Sequence, residues 1–167
     1  MLDFMIKNVN IVNEDEAFWG NVAVKDGKVA AVTAGELDMD AAHIVDGQGL
    51  FLLPGGVDAH VHIRYPGSAH RENFITGTQA AAAGGTTTII EHPISTPPQY
   101  SPEILAVREK AYREQGIVDA AFLGAAGGDH LEEIGRIAEK GIVGFKTFLH
   151  EPPEGREEEF AGLCCSN

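Results

Sequence analysis

The sequence predicts an α/β protein with a β-rich beginning and a run of parallel βα units behind it. Three observations carry this. Residues 1–53 hold short β-branched runs around an Asp-Gly pair, the triplet Pro54-Gly55-Gly56 breaks the chain, and four strand-like segments then alternate with helical ones. The boundary divides the chain into segments 1–53 and 54–167.

In the first segment, Phe4, Ile6, Val9 and Ile11 give a partial alternation. Asn21–Lys25 and Lys28–Val32 flank Asp26-Gly27. Such a pair between two strands favours a two-residue hairpin, because a type I′ turn needs positive φ at both central residues. His43–Asp46 and Leu50–Leu53 supply two more short strands.

In the second segment, strands are expected at Val57–Ile63, Thr86–Glu91, Ile117–Leu123 and Ile142–Leu149. Helices are expected at Phe74–Ala83, stopped by Gly84-Gly85, and from Pro102 to Gln115, with Ser101 as N-cap and Pro102 at the first helical position. A third helix is expected from Asp129, as cap, to Lys140. The acidic stretch Glu151–Glu159 reads as a loop. Alternation of this kind implies a parallel sheet, but periodicity does not distinguish an open sheet from part of a barrel.

Composition excludes several roles. With 12 Lys+Arg against 25 Asp+Glu, the net charge of −13 argues against nucleic acid and against an anionic membrane surface. No apolar run approaches the ~20 residues of a membrane span, and no secretory signal opens the chain, so a cytoplasmic protein is expected. The adjacent Cys164 and Cys165 read as reduced thiols. At 167 residues the chain has the size of one domain and is short of the ~250 of a complete (β/α)8 barrel.

Asp58-Ala59-His60-Val61-His62 lies on the first strand after the boundary. Residues at i and i+2 of a strand face the same side, so His60 and His62 point together. Two neutral imidazoles near the C-terminal end of a strand form half of a transition-metal site, and zinc suits them. The bland alternative is a hydrogen-bonded histidine pair. Lys146 lies in the apolar run Ile142–Leu149 between Phe145 and Phe148. Burying an ammonium there is costly and favours the neutral amine. A neutral amine serves as a Schiff-base nucleophile, as a base, or as a trap for carbon dioxide; the bland alternative is an edge lysine reaching water.

Taken together, Gly55–His62, Gly84-Gly85-Thr86-Thr87-Thr88 and Val143–Phe148 resemble the cyclic amidohydrolases of the amidohydrolase superfamily, the group of dihydroorotase, allantoinase and dihydropyrimidinase (hydantoinase). The resemblance spans essentially the whole chain in the right order. It implies an N-terminal portion of a β-sandwich followed by the first half of a TIM (β/α)8 barrel. It implies two Zn2+ per full-length subunit, with His60 and His62 as ligands and a carboxylated Lys146 bridging the ions. The implied activity is hydrolysis of a cyclic amide by a metal-bridging hydroxide, in a homo-oligomer (dimer or tetramer). The family's two further histidine ligands and its catalytic aspartate lie on later strands, so the sequence looks like the N-terminal portion of a longer enzyme, inactive and poorly folded by itself. His92, His130 and His150 do not match the ligand positions, and His92 is expected to line the mouth in a structural role.

The resemblance also bears on the ring. Arg64 stands where dihydroorotases grip a substrate carboxylate, a geometry that suits an arginine fork, although a surface salt bridge is the bland alternative. Ile94 occupies the place of a dihydroorotase asparagine, and Glu151 that of the dihydropyrimidinase tyrosine. The substrate-binding role of Arg64 and allantoinase-like or hydantoinase-like chemistry are therefore the expectations. Two other classes remain: a non-catalytic dihydropyrimidinase-like scaffold, and an unrelated Schiff-base enzyme using Lys146.

Overall fold

The computed structural model describes residues 1–165. The chain forms two compact units, Met1–Pro54 and Gly55 onward. The first is a five-stranded mixed sheet of β1 (Leu2–Val12), β2 (Ala17–Lys25), β3 (Lys28–Thr33), β4 (Ala41–Asp46) and β5 (Phe51–Leu52). The order is β3-β2-β1-β4, and β5 also pairs with β1. The hairpin contacts are antiparallel, whereas β4 and β5 run parallel to β1.

Local chemistry explains this sheet. Asp26 (φ 52°) and Gly27 (φ 71°) both adopt the left-handed conformation that the two-residue hairpin requires. The register moves from Phe4↔Val24 to Val9↔Gly20, which inserts one extra residue in β1. Asn8, at φ 58°, absorbs it. This bulge puts Phe4, Ile6, Val9 and Ile11 on one face despite their uneven spacing. Met5 and Ala23 are fully buried on the other, against Leu37 and Ala41. Where the resemblance implies a portion of a sandwich, this unit is a single mixed sheet.

The second unit is a four-stranded parallel sheet in sequential order: β6 (Gly56–Val61), β7 (Thr86–Glu91), β8 (Asp119–Ala125) and β9 (Gly144–Lys146). Between them lie α1 (Phe74–Ala83), α2 (Pro102–Gln115) and α3 (Leu131–Ala138), and α4 (Glu157–Phe160) follows. Sequential parallel strands with intervening helices form a curled sheet consistent with part of a (β/α)8 barrel. Helix α1 starts at Asn73, which exchanges hydrogen bonds with Thr76 in a capping box, and α2 starts at the Ser101 cap with Pro102 behind it. Ile63, Phe74, Ile89, Leu105, Phe122 and Ile137 form the core between sheet and helices. The edge-to-face contacts of Phe74 with Tyr65, Tyr112 and Phe122 place aromatic hydrogens against π faces.

Several boundaries differ from the sequence reading. β6 ends at Val61 rather than Ile63, because the Ile63 N–H turns to the Glu91 carboxylate instead of a neighbouring strand. The third strand runs two residues later than expected. Asp129 does not cap α3; it sits in a single 3-10 turn, Gly128–His130, and the helix ends at Ala138. β9 stops at Lys146, since Phe148 leaves the β8 ladder and exchanges backbone hydrogen bonds with Leu163 and Cys165. The acidic stretch is not all loop, as its end forms α4. Gly127 lets the C-terminal segment approach: a Cβ there would stand 2.6–2.7 Å from backbone atoms of residues 162–164. Among the described residues no helix is long and apolar enough to cross a membrane. Cys164 is buried, Cys165 is exposed, and both are free thiols.

Phe74 is 0% exposed at the centre of this core. Phe74→Ala is expected to cost about 3–5 kcal/mol, from lost transfer energy and the residual cavity. Urea unfolding of the variant against the parent protein measures it.

Candidate metal centre

Parallel strands deliver their C-terminal ends to one edge of the sheet, and the chemistry-bearing residues collect there. His60 is in the last turn of the β6 pleat, and His62 follows the strand. His92 comes immediately after β7, and Lys146 is the last residue of β9. The His92 N–H donates to the Val61 carbonyl at 2.8 Å, which fixes the two strand ends side by side.

The His60 and His62 Nε2 atoms lie 3.2 Å apart. Two nitrogens bound tetrahedrally to one zinc at 2.0–2.1 Å stand about 3.3 Å apart, so the pair is spaced as chelating ligands are. The His92 ring stacks on His60, with centroids 4.0 Å apart and planes 9° from parallel, and its centroid is 4.9 Å from that of His62. One ligand nitrogen from each of the three rings falls within 4.8 Å of the others. The His92 Nε2–H donates to the Ala59 carbonyl at 3.2 Å, an assignment that leaves the lone pair on Nδ1. That Nδ1 and the Nδ1 of His62 are buried without a hydrogen-bond partner. Unpartnered buried nitrogens are rare, and the Nδ1 lone pair of His92 in this cluster fits a bound cation; the Nδ1 of His62 lies on the far side of a ring that offers Nε2.

Electrostatics keep His62 and His92 neutral. Burial holds His62 down at about 4, and the neighbouring His92, His60, Arg64 and Lys146 side chains further disfavour a proton there. Burial also lowers His92, helped by His60 and Lys146. Neutral imidazole is the form that binds metals. Lys146 is half-buried, with Nζ 4.7 Å from the Phe148 ring centroid. Its positive charge is a minor cause of the lowering at His62 and His92.

Arg64 adopts the left-handed conformation (φ 61°) just after the histidines. Its guanidinium is 3.2 Å from Glu159, whose carboxylate also holds Arg156. Of the residues singled out by sequence, His60 and His62 therefore meet, Lys146 shares their field, and Arg64 is engaged by an acidic side chain from α4. The sequence reading kept His92 out of the ligand set, whereas the fold puts its ring against His60. Its position directly after a strand that ends on the same edge as His60 and His62 is the signal available in the sequence. Glu159 was read as solvated loop, and nothing in its local sequence pointed to Arg64. His130 stacks on Tyr100, 3.8 Å between centroids, and His150 bonds the Glu151 carbonyl; both stand apart from the three-histidine group.

Comparison with known proteins gives the same direction. Residues 51–156 match the model of the amidohydrolase family. The chain is 40% identical over 148 residues to the allantoinase of Escherichia coli O1:K1 / APEC and equally to that of Salmonella choleraesuis, covering 88% of this chain and 32% of each relative. Among solved structures it is similar to the L-hydantoinase (dihydropyrimidinase) from Arthrobacter aurescens, with a TM-score of 0.85, 35% identity, and coverage of 93% of this chain and 35% of that one. It is also similar to the dihydropyrimidinase from Brevibacillus agri, with a TM-score of 0.76, 28% identity, and coverage of 100% and 35%. The chain thus spans about a third of the length of these relatives. The match to the family model extends over well more than half of the residues and includes every strand end of the histidine cluster, so the chain belongs to the amidohydrolase family.

Proposed function

We propose that the complete protein hydrolyses the amide C–N bond of a neutral cyclic amide, of the allantoin or hydantoin type, at a divalent-metal centre that this chain begins. The observation that carries the reading is the 3.2 Å approach of the His60 and His62 nitrogens beside a third imidazole with an unpartnered lone pair. His60 and His62 are assigned as ligands, and zinc is the ion that suits them. Such an ion lowers the pKa of water and polarises an amide carbonyl.

Lys146 is assigned as a metal-bridging carbamate. Its ammonium first gives up one proton. The neutral amine then adds to carbon dioxide, a C–N bond forms as one C=O bond of carbon dioxide opens to C–O−, and a second proton leaves the nitrogen. With two protons released, the cation becomes an anion. The change is favourable in this position. As an ammonium, Lys146 repels positive charge near His62 and His92, whereas a carbamate attracts a divalent ion. His92 lines the centre with its Nδ1 lone pair. Arg64 borders the substrate space, and its pairing with Glu159 favours an uncharged ring over one that carries a carboxylate. Names of relatives support the same choice, since they are allantoinases and hydantoinases. The complete protein is assigned as a homo-oligomer, a dimer or tetramer.

In the full-length protein, Lys146→Ala is expected to lose bound metal and nearly all hydrolysis of allantoin and hydantoin, as read by metal analysis and ring-opening assay. A variant with normal metal content and rate would refute the carbamate role. His92→Phe retains the stack on His60 and is expected to weaken zinc binding by about tenfold, the scale of ligand-supporting contacts; competition with a chromophoric chelator measures it. The parent protein is expected to favour allantoin or hydantoin over dihydroorotate by more than about tenfold in kcat/KM, roughly 1.4 kcal/mol in the barrier. Equal or better use of dihydroorotate would overturn the assignment of a neutral ring.

A further inference from the structure

The Glu91–Arg108 pair is the most deeply buried charge pair among the described residues, with side chains 0% and 1% exposed and a separation of 2.5 Å. A core made only for stability has little use for it, since well-packed apolar residues serve as well or better. Its partners are informative. The Glu91 carboxylate accepts the Ile63 N–H at 3.1 and 3.0 Å and the Arg64 N–H at 3.2 Å, the two residues after His62. Glu91 is itself the residue before His92. Arg108 Nε donates to the Tyr65 carbonyl at 3.0 Å, and Nη1 faces the His92 carbonyl at 3.4 Å and Gln99 Oε1 at 3.0 Å. Gln99 carries the chain of bonds on to the Leu123 carbonyl in β8. The guanidinium lies over the rings of Phe74 and Phe122, 5.9 and 5.7 Å from their centroids.

One ion pair therefore holds the backbone on the C-terminal side of His62 and on both sides of His92. These contacts end β6 at Val61 and set the turn after it. We propose that Glu91 and Arg108 are positioning residues that hold His62 in its ligand geometry and His92 beside it. The inference rests on the metal reading given above. It goes beyond that reading because neither residue reaches the imidazole cluster and both act through backbone.

The test uses the full-length protein loaded with cobalt(II), whose visible absorption reports ligand geometry. Glu91→Gln keeps the size and loses the charge. Arg108→Met keeps much of the stem and loses the fork. Arg108→Lys keeps the charge and loses most of the backbone bonds. Ile137→Ala, in the same core without a bond to either histidine segment, serves as the comparison for lost stability. Glu91→Gln and Arg108→Met are expected to raise the cobalt dissociation constant by about 10- to 100-fold and to change the absorption band, with Arg108→Lys between them and the parent. Ile137→Ala is expected to melt earlier and bind cobalt as the parent does. Parent-like affinity and band shape in Glu91→Gln and Arg108→Lys overturn the proposal, even if Arg108→Met does not fold.

If the parent protein binds no cobalt, the metal reading fails, and the positioning role is decided on the metal-free protein. Histidine ring 15N signals of His62 and His92 then move in Glu91→Gln and Arg108→Lys but not in Ile137→Ala. Unmoved signals overturn it.

Discussion

The second unit is organised around a guanidinium buried away from solvent. Arg108 reaches from α2 through the aromatic layer of Phe74 and Phe122 and ends among backbone carbonyls and the Glu91 carboxylate. An unsatisfied charge there would cost several kcal/mol, so the loops after β6 and β7 are held to the conformations that satisfy it. Burial pushes the Glu91 carboxyl up, and Arg108 with the amides of Ile63 and Arg64 works against that rise. Each group is tolerable only because the others are in place. The loops are irregular in backbone and well determined in position for the same reason.

From that constraint the edge chemistry follows. Strand β6 stops where the Glu91 carboxylate takes over its backbone donors, and His62 emerges beside His60 rather than continuing the pleat. The hydrogen bond from His92 to Val61 brings the third ring in. Burial and neighbouring positive charge keep His62 and His92 unprotonated, so the nitrogens present lone pairs rather than N–H groups in every direction. Lys146, the last residue of β9, ends a third strand at the same edge of the sheet.

Arg64 shows how the same edge is tuned by a distant segment. Its backbone N–H belongs to the Glu91 carboxylate, while its side chain is paired with Glu159, 95 residues away. A cation beside the histidines is thereby offset by a carboxylate of the chain itself. Glu159 also binds Arg156, so α4 is fastened to the mouth through charge as well as through Phe160 in its apolar cluster.

Much of this was legible in the sequence. The hairpin at Asp26-Gly27, helices α1 and α2 with their caps and strand β7 all depend on short-range rules: φ preference, capping geometry and the preference of β-branched residues for strands. These are properties of neighbouring residues, and the sequence by itself determined them. The ends of β6 and β9, the 3-10 turn before α3, the recruitment of His92 and the pairing of Arg64 with Glu159 depend on groups far apart along the chain. Only the tertiary structure decided them, because a buried polar group selects its partner by who is within reach after folding. A glutamate at the end of Thr-Thr-Thr-Ile-Ile-Glu gives no sign that its carboxylate will finish another strand; that is fixed when Arg108 is buried opposite it and no water remains to take the bonds.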